Sequence, residues 1–234
     1  MLINCQYCEN YTINYTKSMK DKSKKTANMN IEFTDKQNIH VRGELECGTN
    51  VKIDINTIFE GYNLLGNNVE IKANCIIKNA IIGDGSIIKP YTSLEGTKIG
   101  NNCSIGPYSN LRNETIINDN VSIGNFVEIK KSNVGSRSRI NHLSFIGDAN
   151  IEEDVTIGAG TITCNHDGMK HNTTNIKKGS YIGSGCKLIA PITIGENSTI
   201  GSGSVITKDT SPGKLTIARS EQTVIENWKM RNTE

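Results

Sequence analysis

Aliphatic side chains recur every six residues along most of the chain, with a few steps of five. Glycine often follows the aliphatic residue, and a small residue such as Ser109 usually stands four positions after it. The period resumes at Ile176 after a gap and continues to Ile206. One regular stretch consists of Ile99, Ile105, Leu111, Ile117, Ile123 and Ile129.

A hexapeptide period of this length predicts an all-β fold, a parallel β-helix in which each short strand pairs with the coils above and below it. Three hexapeptides make one triangular coil, and neighbouring coils stack about 4.8 Å apart. The aliphatic position and the fourth residue after it then point inward, and the second, third and fifth point outward. Cys75, Cys103 and Cys186 fall on the inward small position. We therefore interpret them as unpaired core residues, not as a disulfide framework.

The repeat predicts a β-helix domain over residues 41–207, preceded by a polar N-terminal arm over 1–40 and followed by a tail over 208–234. From Ile157 to Ile176 the repeat is interrupted by a polar stretch, which predicts an extruded loop at 163–175. Such loops on rigid scaffolds often carry function, although a harmless insertion would look the same.

Two short segments lie outside the repeat. The tail sequence SEQTVIENWKM predicts a short helix that begins after an N-cap at Ser220. Near the N-terminus, Cys5 and Cys8 form a single CxxC pair. Without a second pair, this motif is weak support for a metal or redox site.

Composition narrows the class of protein. The chain has 234 residues, a net charge of +2 and 35% hydrophobic residues. The near-neutral charge gives no bulk attraction to nucleic acid or to a membrane. The sequence has no apolar run of transmembrane length and no signal-peptide pattern at its start. We therefore expect a cytoplasmic protein.

One outward-facing group of residues points to chemistry. Arg112 and Lys130 directly follow aliphatic positions one coil apart, so they should stack on the same corner. Two cations so close repel each other unless an anion lies between them. His142 and Phe145 point outward nearby. The spacing therefore predicts an anion pocket, most simply for phosphate, beside a general base. The alternative is a solvated surface that happens to carry these residues.

A long stretch of the chain resembles a known family. The segments are GNFVEIKKSNVGSRSRINHLSFIGDANIEEDVTIGAGTITCNHDG at 124–168, GPYSNLR at 106–112, VRGELECGTNVKID at 41–54, GSGCKLIAPITIGENSTIGSGSVIT at 183–207 and IARSEQ at 217–222. Together they resemble the acetyltransferase half of the bifunctional enzyme that makes UDP-N-acetylglucosamine. The resemblance covers about residues 41–228.

The resemblance implies a left-handed β-helix, a homotrimer with active sites between subunits, and transfer of acetyl from acetyl-CoA to glucosamine 1-phosphate without a metal. It implies that His142 is the catalytic base and that Arg112 and Lys130 bind the sugar phosphate. The residues implied to line the acetyl-CoA site are Ala159, Asn165, His166, Ser184, Ser202 and Arg219.

Several positions depart from the family pattern. Phe145 replaces a tyrosine and Thr156 an asparagine that help to hold the sugar. His166 replaces a tyrosine beside the CoA site, His171 a lysine in the loop, and Ser202 a small alanine. Each lost neutral hydrogen bond costs about 0.5–1.5 kcal/mol, which weakens binding without ending the reaction. Only about 40 residues precede the repeat, so we expect no uridyltransferase domain in this sequence.

The chemistry is consistent with these residues. An ammonium is not a nucleophile, so a base must take its proton, and a histidine with an unperturbed pKa of about 6.5 suits neutral pH. The thioester oxygen becomes an oxyanion, for which the backbone N–H of Ala159 is a candidate donor.

We therefore expect an N-acetyltransferase for an amino-sugar phosphate that serves UDP-N-acetylglucosamine and cell-envelope precursor synthesis. Its expected partners are small molecules and its own copies. The alternatives are a different amino-sugar acceptor, a non-catalytic scaffold or partner subunit, and a zinc hydratase. The last needs three convergent histidines, and the candidates are His142, His166 and His171.

Overall fold

A computed structural model describes residues 31–228 of the chain. This part consists of short parallel strands, each no longer than eight residues, and one 3-10 turn at Lys36–Asn38. The strands wind around three flat faces, so that each pairs with the strands one coil below and one coil above. Residues 31–228 form the parallel β-helix that the repeat predicted, with the left hand that the family resemblance implied.

Successive strands occupy faces 1, 2 and 3 in turn. Face 1 contains Ile31–Phe33, Val51–Ile53, Glu70–Ile71, Ile87–Ile88, Ser104–Ile105, Ser122–Asn125, Arg139–His142, Thr156–Ile157, Tyr181–Ile182, Thr199–Ile200 and Leu215–Thr216. Face 2 contains Ile76–Lys78, Ser93–Glu95, Asn110–Leu111, Glu128–Lys130, Phe145–Gly147, Ile162–Cys164, Lys187–Ile189 and Val205–Ile206. Face 3 contains Ile81–Ile82, Thr97–Ile99, Thr115–Ile117, Asn133–Val134, Ala149–Ile151, Thr174–Ile176 and Ile192–Ile194. The long strands His40–Cys47 and Ile58–Leu65 run through faces 2 and 3.

The core is the inside of the prism, and the hexapeptide pattern determines it. Aliphatic positions such as Ile123 and Ile140 are fully buried, and so are small fourth positions such as Ser138 and Cys186. Val41 differs, because 46% of its surface is exposed. It lies in the first coil of face 2, where the described residues provide no strand beneath it.

The ends of the described region differ from the sequence-based boundaries. Ile31–Phe33 already pairs with Val51–Ile53, so the β-helix begins before residue 41. The predicted helix after Ser220 is wrong, because residues 217–228 form turns and irregular structure. Val224 and Ile225 are exposed, and a helix this short without packing is marginal in water. Cys5 and Cys8 lie outside the described residues.

The extruded segment leaves the prism after Cys164 and returns at Thr174. The side chain of Asp167 closes it, because one carboxylate oxygen accepts from the amides of Met169 and Lys170, each at 2.9 Å. These hydrogen bonds stabilise the charged form and lower the pKa of Asp167. No helix in residues 31–228 has the length and apolarity needed to cross a bilayer.

Candidate active site

Four of the expected site residues stack in one column. His142, Ala159, Ser184 and Ser202 each lie two positions after a paired aliphatic residue of face 1, on the corner where face 1 meets face 2. We call this corner A and these four residues the corner A column. The sequence separations between them are irregular because the extruded loop interrupts the repeat. The coil-to-coil pairing nevertheless brings them into line.

His142 is held from both sides and yet exposed. Its Nδ1 lies 2.9 Å from Oδ1 of Asn125, which occupies the same position one coil below. Its backbone carbonyl accepts from the hydroxyl of Ser144 at 2.8 Å and from the amide of Gly160 at 3.3 Å. Its second ring nitrogen makes no hydrogen bond within residues 31–228, so a histidine fixed in this way can accept a proton there.

Beside the upper part of the column, three coils carry glycine on the outermost corner position. Gly160, Gly185 and Gly203 have φ angles of 73°, 73° and 75°, in the left-handed region. A methyl group on Gly203 would contact nothing within 4 Å. This glycine strip leaves the backbone bare and open to a ligand.

Backbone donors along the same corner are free. Within residues 31–228, no hydrogen-bond acceptor faces the amide N–H groups of Ala159, Ser184 and Ser202. Exposed, unpaired amides beside bare glycine backbone are groups that a polar ligand can use.

The column ends at a pocket formed by the tail. The guanidinium of Arg219 donates to the backbone carbonyl of Ser202 at 2.6 Å, which ties the tail to the last coil. Arg219 lines an open pocket of about 600 Å³ together with Ile217, Ser220, Glu221 and Gln222. One continuous surface therefore leads from His142 over the glycine strip to the pocket that Arg219 lines.

The opposite edge of face 2, where it meets face 3, carries a ladder of charges. We call this edge corner B. Arg42 pairs with Glu60 at 2.9 Å, and Lys78 pairs with Glu95 at 2.8 Å, each one coil above the other. The same column continues through Arg112, Lys130 and Gly147. Alternation of positive and negative charge therefore stops where Arg112 and Lys130 meet.

The broken ladder leaves cationic charge exposed on the surface. Arg112 leans back over face 2 and contacts Glu128 at 2.8 Å, while Lys130 has no acidic partner among residues 31–228. The ring of Phe145 folds over Gly147, since a methyl group there would lie 2.9 Å from its Cζ. Arg112, Lys130 and Phe145 thus border one part of face 2 beside corner B.

The extruded loop packs against corner B. Asn165 donates to the carboxylate of Asp148, and His171 Nδ1 lies 3.1 Å from the same carboxylate. The rings of His166 and His171 lie 4.9 Å apart between centroids. Asn165 also approaches Gly147, where an added methyl group would lie 2.6 Å from its Nδ2. Asp148 therefore anchors the root of the loop.

Comparison with known proteins identifies the family. The family model for the GMPPB C-terminal domain matches residues 41–142, and the model for the bacterial transferase hexapeptide (six repeats) matches residues 173–208. The bifunctional protein GlmU of Nitrosomonas eutropha is 50% identical over 209 residues, covering 89% of this chain and 46% of that protein. GlmU of Marinobacter nauticus is 46% identical over 197 residues, covering 84% of this chain and 43% of that protein. This chain belongs to the GlmU acetyltransferase-domain family. It spans less than half the length of these GlmU relatives.

Among solved structures, the UDP-N-acetylglucosamine acyltransferase from Campylobacter jejuni is similar at 18% identity and a TM-score of 0.40. The similarity covers 79% of this chain and 70% of that one.

The residues matched to GlmU fall into two groups in the single chain. His142, Ala159, Ser184, Ser202 and Arg219 lie along corner A, whereas Arg112, Lys130, Asn165 and His166 lie at or beside corner B. His142 and the corner B position Gly147 are five residues apart, which is at most about 17 Å of extended chain. The sequence placed His142 in one group with Arg112 and Lys130, whereas the structure places them at the two opposite edges of face 2.

Thr156 is placed apart from Phe145. It lies on face 1, between Arg139 and Tyr181, whereas Phe145 lies on face 2. Both side chains therefore border the same acceptor only if a second copy supplies one of them.

Sequence reasoning missed three supporting residues. Asn125 contacts the ring of His142, Glu128 pairs with Arg112, and Asp148 anchors the loop. Asn125 and Glu128 lie within the NFVEIKK segment, so that segment was the available signal. The coil-to-coil pairing was needed to show which residue each one touches.

The described residues do not supply a set of ligands for a metal. No group of three His, Cys, Asp or Glu side chains in residues 31–228 is arranged to hold an ion. His142 lies on corner A, and His166 and His171 lie in the loop beside corner B. The three histidines required by the zinc hydratase alternative therefore do not converge within one chain.

Proposed function

We propose that this protein is an acetyl-CoA-dependent N-acetyltransferase for an amino-sugar phosphate, with glucosamine 1-phosphate as the acceptor. His142 is the catalytic base in this proposal. The observation that carries it is the continuous surface of corner A, where an oriented histidine leads over the glycine strip to the Arg219 pocket.

The dimensions of corner A suit acetyl-CoA. The segment that carries Arg219 forms the coil above Ser202, so His142 and Arg219 are separated by four coil steps, or about 19 Å. This separation matches the length of an extended pantetheine arm followed by the nucleotide. The free amide of Ser184 can donate to a carbonyl of pantetheine, and Arg219 can bind a phosphate of the nucleotide. Asn165 and His166 would contact the CoA carried by a neighbouring copy.

Face 2 is the proposed acceptor site. Arg112 and Lys130 bind the phosphate at corner B, and the sugar lies over Phe145 with its amine toward His142. Charged hydrogen bonds to phosphate fix the orientation of the sugar. Phe145 lacks the hydroxyl of a tyrosine, so it contacts the ring through apolar packing alone. Thr156 would approach the acceptor from a neighbouring copy.

The proposed reaction begins when the ammonium of the acceptor loses one proton to solvent and becomes the free amine. The amine nitrogen attacks the thioester carbonyl, and Nε2 of His142 takes a second proton from that nitrogen as the C–N bond forms. The C–S bond then breaks, and the thiolate of CoA receives the proton from the imidazolium. A base so placed contributes about 10²–10⁴-fold. The amide of Ala159 stabilises the oxyanion, and one such donor contributes about 10²–10³-fold.

A homotrimer is part of the proposal. Below the glycine strip, the same corner carries four exposed apolar side chains in successive coils, Tyr91, Tyr108, Phe126 and Leu143. The rings of Tyr91 and Tyr108 stack at 4.8 Å between centroids. Such a ridge favours burial against a neighbouring copy. Because its substrates are metabolites, we place the enzyme in the cytoplasm.

The test is acetyl transfer followed by mass spectrometry. Purified protein is mixed with acetyl-CoA and a panel of amino sugars, each with and without a 1-phosphate. We expect acetylated glucosamine 1-phosphate, lost in His142→Ala and retained in the control His40→Ala, an exposed histidine at the start of the first long strand. Equal activity of His142→Ala and the control would refute the role of His142.

The same panel separates the remaining alternatives. Preference for another amine would mean that Phe145 and Thr156 have reshaped the acceptor site. Failure to transfer to any amine, together with no acetyl-CoA binding by calorimetry, would favour a non-catalytic scaffold.

A further inference from the structure

The side chain that contacts the ring of His142 belongs to a residue with no assigned role. Asn125 is half-buried and lies directly below His142, as the register between their two strands shows. Its Oδ1 is 2.9 Å from Nδ1 of the imidazole. No ion pair to His142 occurs in residues 31–228, so no carboxylate orients the ring.

A carbonyl oxygen can only accept a hydrogen bond, so this contact requires a proton on Nδ1 of the neutral ring. The lone pair then lies on Nε2, the nitrogen that is free to take a proton. In the other tautomer, Nδ1 would present its lone pair to a carbonyl oxygen and Nε2 would already be protonated. The contact therefore selects the ring form that can act as a base.

The surrounding backbone makes the contact rigid. Gly124, next to Asn125, lies so close to the backbone of Asn141 that a side chain there would clash with it. The hydroxyl of Ser144 and the amide of Gly160 hold the carbonyl of His142. With both residues fixed by coil stacking, little freedom remains for the ring except rotation, which the amide of Asn125 restrains.

We propose that Asn125 is a positioning residue that holds His142 in the Nδ1-protonated tautomer with Nε2 directed toward the acceptor. The inference rests on the proposed role of His142 as the base. Asn125 itself touches neither substrate in this proposal, so its removal affects kcat more than either KM.

The first measurement is independent of activity. Nitrogen-15 NMR of the imidazoles reports which ring nitrogen carries the proton, and only four histidines are present, so the His142→Ala spectrum identifies the signals of His142. We expect one tautomer, protonated on Nδ1, in the wild type and a mixture in Asn125→Ala. A wild-type ring protonated mainly on Nε2, or a tautomer unchanged in Asn125→Ala, would overturn the proposal.

The second measurement is kinetic. Loss of one neutral hydrogen bond predicts a fall in kcat of about 3- to 10-fold in Asn125→Ala. Asn125→Asp places a carboxylate against Nδ1, so it should restore the tautomer and move the acid limb of the pH–rate profile to higher pH. The control is Asn150→Ala, which removes an exposed bond to Asn175 on face 3. A pH profile of Asn125→Asp identical to wild type would overturn the proposal.

Failure of the wider function gives a different result. If wild-type protein transfers no acetyl group but its ring is locked by Asn125, the positioning contact holds and the proposed reaction fails. If transfer is normal and Asn125→Ala changes neither tautomer nor kcat, the reaction holds and the positioning role fails.

Discussion

Removing either cation at corner B should selectively weaken binding of a phosphorylated acceptor. Arg112→Ala and Lys130→Ala are the perturbations, and Lys78→Ala is the matched control. Lys78 lies in the same charge ladder but is neutralised by Glu95 at 2.8 Å. If the break in alternation at Arg112 and Lys130 marks a phosphate site, only the first two changes should affect the acceptor.

The size of the expected change in KM follows from two contacts that compete for Arg112, one with Glu128 and one with the bound phosphate. The Arg112–Glu128 pair is exposed, with side-chain accessibilities of 50% and 38%, so it contributes only about 0–1 kcal/mol to stability. A charged hydrogen bond to a bound phosphate is worth about 1.5–3 kcal/mol. Losing it raises KM by about 10- to 150-fold, because 1.4 kcal/mol corresponds to a factor of ten.

A different substitution at corner B should strengthen binding of the phosphorylated acceptor. Glu128→Gln removes the carboxylate that competes with phosphate for Arg112, so KM for the phosphorylated sugar should fall.

Steady-state kinetics with a sugar 1-phosphate and with the unphosphorylated sugar provide the assay. We expect the difference in KM between the two acceptors to shrink in Arg112→Ala and Lys130→Ala and to persist in Lys78→Ala. The reasoning is refuted if Arg112→Ala and Lys130→Ala both keep the wild-type preference for the phosphorylated sugar, or if Lys78→Ala loses that preference equally.

Three further predictions follow from the same structure. Gly203→Asn should fold but bind acetyl-CoA more weakly in calorimetry. Asparagine tolerates the left-handed conformation, but its side chain would obstruct the glycine strip. The control Gly213→Ala, also at positive φ but away from the strip, should bind acetyl-CoA normally. Arg137 lowers the pKa of Asp154 through direct hydrogen bonds, so this contribution to stability is present at neutral pH, begins to fall at about pH 4 and is lost only below the lowered pKa of the folded state. The Tm difference between wild type and Arg137→Ala should therefore shrink steadily as the pH falls below about 4. Burial raises the pKa of Cys75 to about 11, so this thiol should resist alkylation at pH 8 until the protein unfolds, as peptide mass spectrometry would report.

The fold was predictable because its signal is periodic and local. Each hexapeptide states which side chain points inward, and Ile123 and Ile140 are buried as that rule requires. The ends were less predictable. The strand Ile31–Phe33 was missed because it precedes the region in which the hexapeptide repeat is recognisable. The tail helix after Ser220 was inferred from capping chemistry alone, without a surface for it to pack on.

The candidate site was predictable only in part. Stacking of Arg112 on Lys130 followed from their separation by one whole coil. The separation of His142 from this pair did not follow, because closeness in sequence does not reveal that the width of face 2 lies between the two corners. Asn125 was missed for the same reason, since its contact with His142 depends on the register between two coils.

The sequence by itself determined the repeat, the inward and outward positions, and the family. These depend on side-chain periodicity and on residue identity, which are local properties. Only the tertiary structure decided how coils of unequal length are brought into register with one another. That pairing aligns His142, Ala159, Ser184 and Ser202 despite the extruded loop, and it places Arg112 and Lys130 at the far end of the face. The physical reason is that hydrogen bonds between coils, which the linear sequence does not display, fix which side chains become neighbours.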